Sequence, residues 1–443
     1  TTAVDVDRDG VIDLDGTDRV TRTERDVLDD NGTHVRRTRT YVRNDQGDEL
    51  LVSTVKSATT SQQTWSESHG LETHNQTTIS GNTRTVTPTP PHDSTTTSQY
   101  QDGRLVSVTR KDANTQQIAR TDYEYDPHGR LWKVTDARTG TTTYTYNNAD
   151  QVVTVTTPAP DESSAAQVTT TFYNNMGRVW RMVQPDTTTV TNEYHLTGLL
   201  RKTYGTRTYP VEYTYDAQGR MKTMKTWQNF TTGAGAAVTT WNYHAQRGFL
   251  ASKRYADNKG PDYTYYPGGR LKDRQWARGT PRLATTYTYN NAGDLWTVTY
   301  SDGTTPNVSY TYYSRGRRKT VTQGSGAGQI VTTLDYNDAG QLRSESYAGG
   351  ALDGLSVSSG YDALLRRDTL SILDPQSAVL ASTTYGYDAA SRLDSVTDGT
   401  HSAEYGYLQN ASLVETVTFK EDTTTRMVSK RHPKHRLTMF EES

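Results

Sequence analysis

The sequence predicts an all-β protein: repeat hairpins side by side in one continuous, curved, spiralling antiparallel sheet, with very little helix. Three observations predict it. A short motif, Tyr-(Asp/Asn)-x-x-Gly-Arg-Leu, returns at intervals of 20 to 28 residues, the period of a repeat architecture. The chain holds 30 tyrosines while its hydrophobic share is only 32%, so Tyr, with Thr, takes positions that aliphatics usually fill, and both suit half-buried strands. No long stretch carries the 3.6-residue apolar period of a helix.

Residues 1–18 form an acidic loop of calcium type. In Asp5-Val-Asp-Arg-Asp-Gly-Val-Ile-Asp13 the carboxylates of Asp5, Asp7 and Asp9 take positions 1, 3 and 5 of an EF-hand-like loop. Gly10 permits the sharp turn, the Val11 carbonyl takes position 7 and Asp13 position 9. A hard cation such as Ca²⁺ needs several oxygens converging at once, which this spacing supplies, and its role here is structural. Position 12, where a bidentate Glu is usual, is Gly16, with Asp15 or Asp18 as stand-ins. The other reading is a solvated acidic turn leading into a strand.

Residues 19–97 form a degenerate β-hairpin region. Val20-Thr-Arg-Thr-Glu24 and Thr33-His-Val-Arg-Arg-Thr-Arg-Thr-Tyr-Val42 alternate with period two. Asp30-Asn-Gly32, Asn44-Asp-Gln-Gly47 and Ser80-Gly-Asn82 are hairpin turns. Pro88-Thr-Pro-Pro91 interrupts the ladder and marks a boundary.

Residues 98–415 hold the repeats, and Tyr123-Glu-Tyr-Asp-Pro-His-Gly-Arg-Leu-Trp-Lys-Val-Thr-Asp136 is their clearest copy. Tyr123 and Tyr125 face one side of an extended strand. Asp126-Pro-His-Gly129 fits a type I turn: Asp at the first position bonds backbone N–H groups ahead of it, Pro sets φ, and Gly accepts a positive φ. Arg130 to Thr135 is the return strand. Further copies begin at Tyr146, Tyr173, Tyr194, Tyr215, Tyr243, Tyr265, Tyr289, Tyr312, Tyr336, Tyr361, Tyr387 and Tyr407, with a shorter relative at Tyr100. Four Gly-, Pro- or Ser-rich insertions, at 158–164, 231–236, 324–328 and 349–354, should decorate one edge of the spiral. Residues 416–443 read as a degenerate terminal repeat. Its Lys430-Arg-His-Pro-Lys-His-Arg436 cluster, with His432 where Tyr is usual, is either an edge-strand charge cluster or a partner patch.

These copies resemble the YD repeats of the Rhs family, also found in teneurins and in the shell components of bacterial toxin complexes. The resemblance runs from about Tyr100 to Leu413. It implies hairpins of a long sheet that spirals into a hollow shell. Family members that process themselves end in Asp-Pro-x-Gly-Leu. Here Asp126-Pro-His-Gly129 runs into Arg130, and Asp374-Pro375 into Gln376-Ser377. The resemblance therefore implies shell without protease or toxin tip.

Chemistry is sparse in the sequence. There is no phosphate loop, HExxH, GxSxG or paired-cysteine motif, and no cysteine at all. Net charge is −2 with no extended basic tract, which argues against nucleic acid. No run of 18 apolar residues offers a membrane span. Thr1 is not a translational start and no leader is visible, so the chain reads as a piece of something longer. Turn aspartates such as Asp126, Asp216, Asp362 and Asp388 have a structural task. His69 and His74 with neighbouring strand arginines could abstract a proton α to a uronate carboxylate, as a lyase must; surface or turn histidines are the plainer reading. Trp132, Trp180, Trp227, Trp276 and Trp296 could form an aromatic ladder for a glycan, or pack between strands.

The expected function is a non-enzymatic extracellular scaffold of bacterial origin, forming a shell segment or self-assembling through strand edges, filaments included. The alternatives are a carbohydrate-binding or polysaccharide-degrading protein using the spiral groove, and a toxin-encapsulating shell fragment without its cargo.

Overall fold

The computed structural model describes every residue except 15, 17, 161, 162, 432–436, 442 and 443. Among the described residues, thirty-seven strands, from Thr2–Val4 to Leu437–Glu441, make one sheet. It is a meander throughout: each strand pairs antiparallel with the one before it. Helix among the described residues is confined to two single 3₁₀ turns, Gly326–Gly328 and Gly350–Leu352.

The sheet is one layer thick, and its burial shows this. Among the described residues the buried apolar side chains are Val20, Val35, Ala58, Ile118, Trp227, Val298 and Ala390. Most other positions are half-buried. Backbone ladders and cross-strand pairs therefore carry the stability. Threonine hydroxyls pair across the two strands of several repeats: Thr145 with Thr154 at 2.6 Å, Thr288 with Thr297 at 2.6 Å and Thr311 with Thr320 at 2.7 Å.

The repeating hairpin turns as its sequence dictates. The Gly129 N–H donates to the Asp126 carbonyl at 2.8 Å, closing the type I turn, and Gly129 follows at φ 83°. Asp150, Leu365 and Ser391 adopt the same positive φ where glycine is missing. The strands then slip by one residue. Glu124 pairs with Lys133, but Tyr125 pairs with Leu131, and Trp132 is bulged out. The same shift precedes the turn tyrosine at Tyr173, Tyr215, Tyr265, Tyr289, Tyr361 and Tyr407. A bulge in every hairpin increases local twist and bends the strand, and repeated it coils a long ribbon.

Each motif residue has a partner in the neighbouring hairpin. The hydroxyl of the turn tyrosine donates to the backbone carbonyl at the Leu position of the preceding repeat. Tyr125 bonds Leu105 at 2.8 Å, Tyr146 bonds Leu131 at 2.5 Å, Tyr265 bonds Leu250 at 2.9 Å and Tyr407 bonds Leu393 at 2.6 Å. Arg130 ties three things together. Its backbone N–H and its Nε donate to Asp126 at 2.9 and 2.7 Å, its Nη1 reaches Asp150 of the next turn at 2.6 Å, and its guanidinium lies 4.5 Å from the Tyr146 ring centre. Arg220, Arg366 and Arg392 repeat the Asp and Tyr contacts. Desolvation raises the carboxyl pKa of Asp126, Asp216 and Asp362. The hydrogen bonds and charge of the following arginine outweigh it and hold each below the ordinary carboxylate range.

The meander gives the ribbon two edges. One carries the motif turns; the other carries the return connections. All four insertions lie on the second edge, after the thirteenth, nineteenth, twenty-seventh and twenty-ninth strands. Pro88 still pairs with Asn75, while the ladder to the following strand ends at Val86. The segment after it is a return connection, and the sheet resumes at Thr95–Gln101. Of the terminal basic cluster, Lys430 lies in the strand Thr424–Arg431; His432 to Arg436 lie outside the described residues.

The ribbon comes back on itself. The connections after the first, third, fifth, seventh and ninth strands meet the motif turns after the twenty-fourth, twenty-sixth, twenty-eighth, thirtieth and thirty-second. The step is always twenty-three strands. It has to be odd, because a return edge meets a motif edge. At about 4.8 Å per strand, one turn measures roughly 110 Å around and about 35 Å across. No pairing joins the first strand to the last among the described residues, so the sheet spirals rather than closing into a barrel.

Candidate functional site

The seam between the two spiral turns is where distant residues meet, and the acidic loop sits at its start. Within that loop, carboxylate oxygens of Asp5, Asp7 and Asp9 lie within 4.8 Å of one another. Backbone N–H groups shape the cluster: Asp5 accepts from Arg8 at 2.5 Å and Gly10 at 3.0 Å, Asp7 from Asp9 at 3.2 Å, and Asp9 from Val11 at 2.8 Å. Asp13 joins the base of the loop through its backbone N–H. Asp18, only 3% exposed, accepts from the N–H groups of Val6 at 2.6 Å and Asp13 at 2.9 Å. Its carboxylate clamps the base of the loop. Asp15, the other stand-in for position 12, lies outside the described residues.

The loop is docked across the seam. Asn291 donates from Nδ2 to the Asp7 carbonyl at 3.2 Å, and Arg8 donates to the Asn291 carbonyl at 3.4 Å. Arg19 pairs with Asp294 at 2.5 Å, a turn residue 275 positions away. Further along, the Ser314 N–H donates to Asp45 at 2.7 Å and the Ala113 N–H to the Ala389 carbonyl at 3.0 Å. Between the second and third of these junctions lies a cavity of about 390 Å³, lined by Asp45, Tyr313, Arg315, Arg317, Lys319 and Asp338 among others. Single-sequence reasoning missed Asn291, Asp294 and Ser314. They look like ordinary turn residues, and only the parity of the two edges hints at their partners.

The other candidates are dispersed. His74 stacks on Trp65 at 5.0 Å between ring centres, nearly parallel, with Nε2 buried. His69 lies on the third seam junction, on the connection before the strand that carries His74, and faces the second turn while His74 stacks on Trp65. Asp126, Asp216, Asp362 and Asp388 are each bonded to the arginine four residues on. Trp132, Trp180 and Trp296 are exposed because each occupies the bulge. They sit on the eleventh, fifteenth and twenty-fifth strands, hence roughly 20 and 50 Å apart along the ribbon, too far for adjacent rungs of a ladder. Trp227 is buried against Phe230, and Trp276 donates to Thr285 at 2.8 Å beneath the Arg274 guanidinium. Among the described residues no helix is long and apolar enough to cross a membrane, which says nothing of strands.

This fold and its turns define a YD-repeat β-sheet protein. The family model of the teneurin YD-shell matches residues 52–235. The crystal structure of TcdB2–TccC3 is similar over 93% of this chain, with TM-score 0.60 and 12% identity. The Photorhabdus luminescens Tc holotoxin pore is similar over the same share, with TM-score 0.59 and 11% identity. The chain spans 27% of the length of these matched chains. No curated protein matches it. The match to the teneurin YD-shell model and the shared fold support an Rhs/YD-repeat assignment.

Proposed function

We propose that the chain is a non-enzymatic structural scaffold, a segment of a YD-repeat shell that works outside the cell and encloses a space. The seam carries this reading: a ribbon that meets itself every twenty-three strands has an inside and an outside. A chain covering 27% of the TcdB2–TccC3 length corresponds to part of a longer shell, and a toxin cargo is the natural content if the likeness extends to function. Filament formation is the weaker reading. Among the described residues the first strand pairs with Arg19–Thr21, and no strand pairs with the rest of Arg19–Asp30 on that side. That edge carries Arg22, Glu24, Arg25 and Asp26, and such charges oppose chance edge-to-edge pairing. Among the described residues the exposed tryptophans lie on well-separated strands and form no contiguous platform for a glycan. Electron microscopy of the purified chain is expected to show discrete, hollow particles of single-chain mass. Long fibres or stacks would overturn the shell reading in favour of assembly.

The same reading gives the acidic loop its task. We propose that Ca²⁺ bound by Asp5, Asp7 and Asp9, with the Val11 carbonyl and Asp13 as further ligands, fixes the loop so that Asp7 and Arg8 can hold Asn291. Calcium should slow proteolysis within the first 20 residues, and chelation should reverse that. The Asp7→Ala/Asp9→Ala variant should be cut at the chelated rate whether or not calcium is present. Equal cleavage of the natural chain with and without calcium would remove the metal from this account.

A further inference from the structure

We propose that the seam is an acid-operated latch, in which protonation of His69 and His92 frees the first spiral turn of the sheet from the second. Both histidines sit on return connections of the first turn, facing motif turns of the second. They occupy successive junctions, the third and the fourth.

His69 is tied to its own strand on one side and faces the second turn on the other. Its Nδ1 lies 2.9 Å from the Ser68 hydroxyl oxygen, which also lies 3.3 Å from the Val52 carbonyl oxygen, so Ser68 serves either tautomer. Nε2 is buried, beside the Asp338 backbone of the second turn. Protonation would place a positive charge in surroundings that hold Arg315 and Arg317 from the second turn, with Asp338 and Glu67 as the nearby acids. Arg315 already donates to the Asp338 carbonyl at 2.9 Å. Desolvation and then the two arginines push the His69 pKa below its ordinary value, against a smaller upward pull from Asp338.

His92 repeats the device with other residues. Its Nδ1 accepts the N–H of the buried Ser94 at 3.4 Å, a bond that protonation of Nδ1 would break. Arg110 of the first turn and Arg366 of the second face it, with Asp93 as the nearby acid, and Arg110 donates to the Ala390 carbonyl across the seam at 3.4 Å. Desolvation comes first among the causes that lower its pKa, opposed by its own backbone and reinforced by the arginines.

The sign follows from linkage. An opened seam returns each imidazole to its ordinary value, about 6.5. Above that pH neither state takes up a proton and the seam keeps its full stability. As the pH falls below about 6.5, the open state binds protons first, and closure weakens until the pH passes the lower, closed-state values. Within that window each histidine multiplies the opening constant by up to about tenfold per pH unit. The aspartates of the motif turns are held below the carboxylate range, so the hairpins keep their ionised Asp–Arg pairs at pH 5 while the seam loosens.

Hydrogen exchange on the whole chain at pH 7.5 and 5.0, corrected for intrinsic rates, tests this. Expected at pH 5.0 is a 10- to 100-fold loss of protection at the seam amides of Ala113 and Ser314, with no change in the repeat between Tyr215 and Met221. His69→Gln/His92→Gln should show no such loss, and each single variant about half of it on a logarithmic scale. Equal seam protection at both pH values would overturn the latch. So would a loss that persists unchanged in the single variants, since carboxylates would then be its source.

Discussion

Replacing Tyr265 with alanine is expected to cost about 3 kcal/mol, the low end for a large aromatic, because the ring is half-buried. The phenylalanine variant should cost only about 1 kcal/mol. The ring packs against Phe249 at 5.0 Å between centres and meets His244 edge-on at 6.2 Å, and alanine deletes both contacts. Phenylalanine keeps them and removes only the 2.9 Å bond from the hydroxyl to the Leu250 carbonyl. Desolvation already raises the phenol pKa at this site, consistent with a hydroxyl drawn away from water. Because a repeat depends mainly on its immediate neighbours, the loss should stay local. Urea denaturation would give the total, and exchange rates in the hairpins on either side would locate it. Should phenylalanine cost as much as alanine, the hydroxyl and not the ring would be what the repeat preserves.

The hairpins were legible in the sequence because each is specified within a few residues. Asp126, Gly129 and Arg130 act on one another through four positions of chain, and the turn they predict is the turn observed. The restriction of the insertions to one edge was equally legible, since every motif turn lies between the same two strands of its unit. The bulge was not. A Trp after Gly-Arg-Leu reads as one more strand residue, and nothing local says that Tyr125 will skip Trp132 to pair with Leu131. That slip leaves Trp132, Trp180 and Trp296 exposed on well-separated strands, which speaks against the ladder alternative.

The seam was illegible for a different reason. Which turn meets which depends on twist and coil summed over twenty-three strands, and a small error per strand would move the meeting point by whole repeats. Arg19 and Asp294 are unremarkable alone; 275 residues of accumulated geometry bring them to 2.5 Å. The acidic loop stands between these cases. The spacing of Asp5, Asp7 and Asp9 foretold their convergence, because it is a property of one turn of chain. Its docking on Asn291 belongs to the seam and needed the whole spiral.

That dependence makes hairpin geometry a control on closure, and Gly205 is the place to test it. Gly205 follows the strand Leu200–Tyr204, at φ 146°. A Cβ there would stand 2.0 Å from the Thr189 carbonyl oxygen, a backbone atom of the neighbouring strand. The same carbonyl accepts the Arg207 N–H at 3.1 Å, and the Thr189 N–H donates to the Thr206 hydroxyl at 2.9 Å. Gly205→Ala must therefore push the two strands apart or break both bonds, and neither side can yield by rotating a side chain. The expected cost is about 2–3 kcal/mol, from the backbone conformation together with the lost hydrogen bonds. Gly303, also at positive φ (67°) but with nothing within 4 Å of its would-be Cβ, is the control. Its alanine variant should cost about 1 kcal/mol from conformation alone. If the displacement at Gly205 is passed along the ribbon, protection at the Ser314 and Ala113 seam amides will fall too, although Gly205 touches neither. If only the amides around Thr189 and Arg207 respond, the ribbon absorbs the error locally, and each seam junction holds by its own contacts.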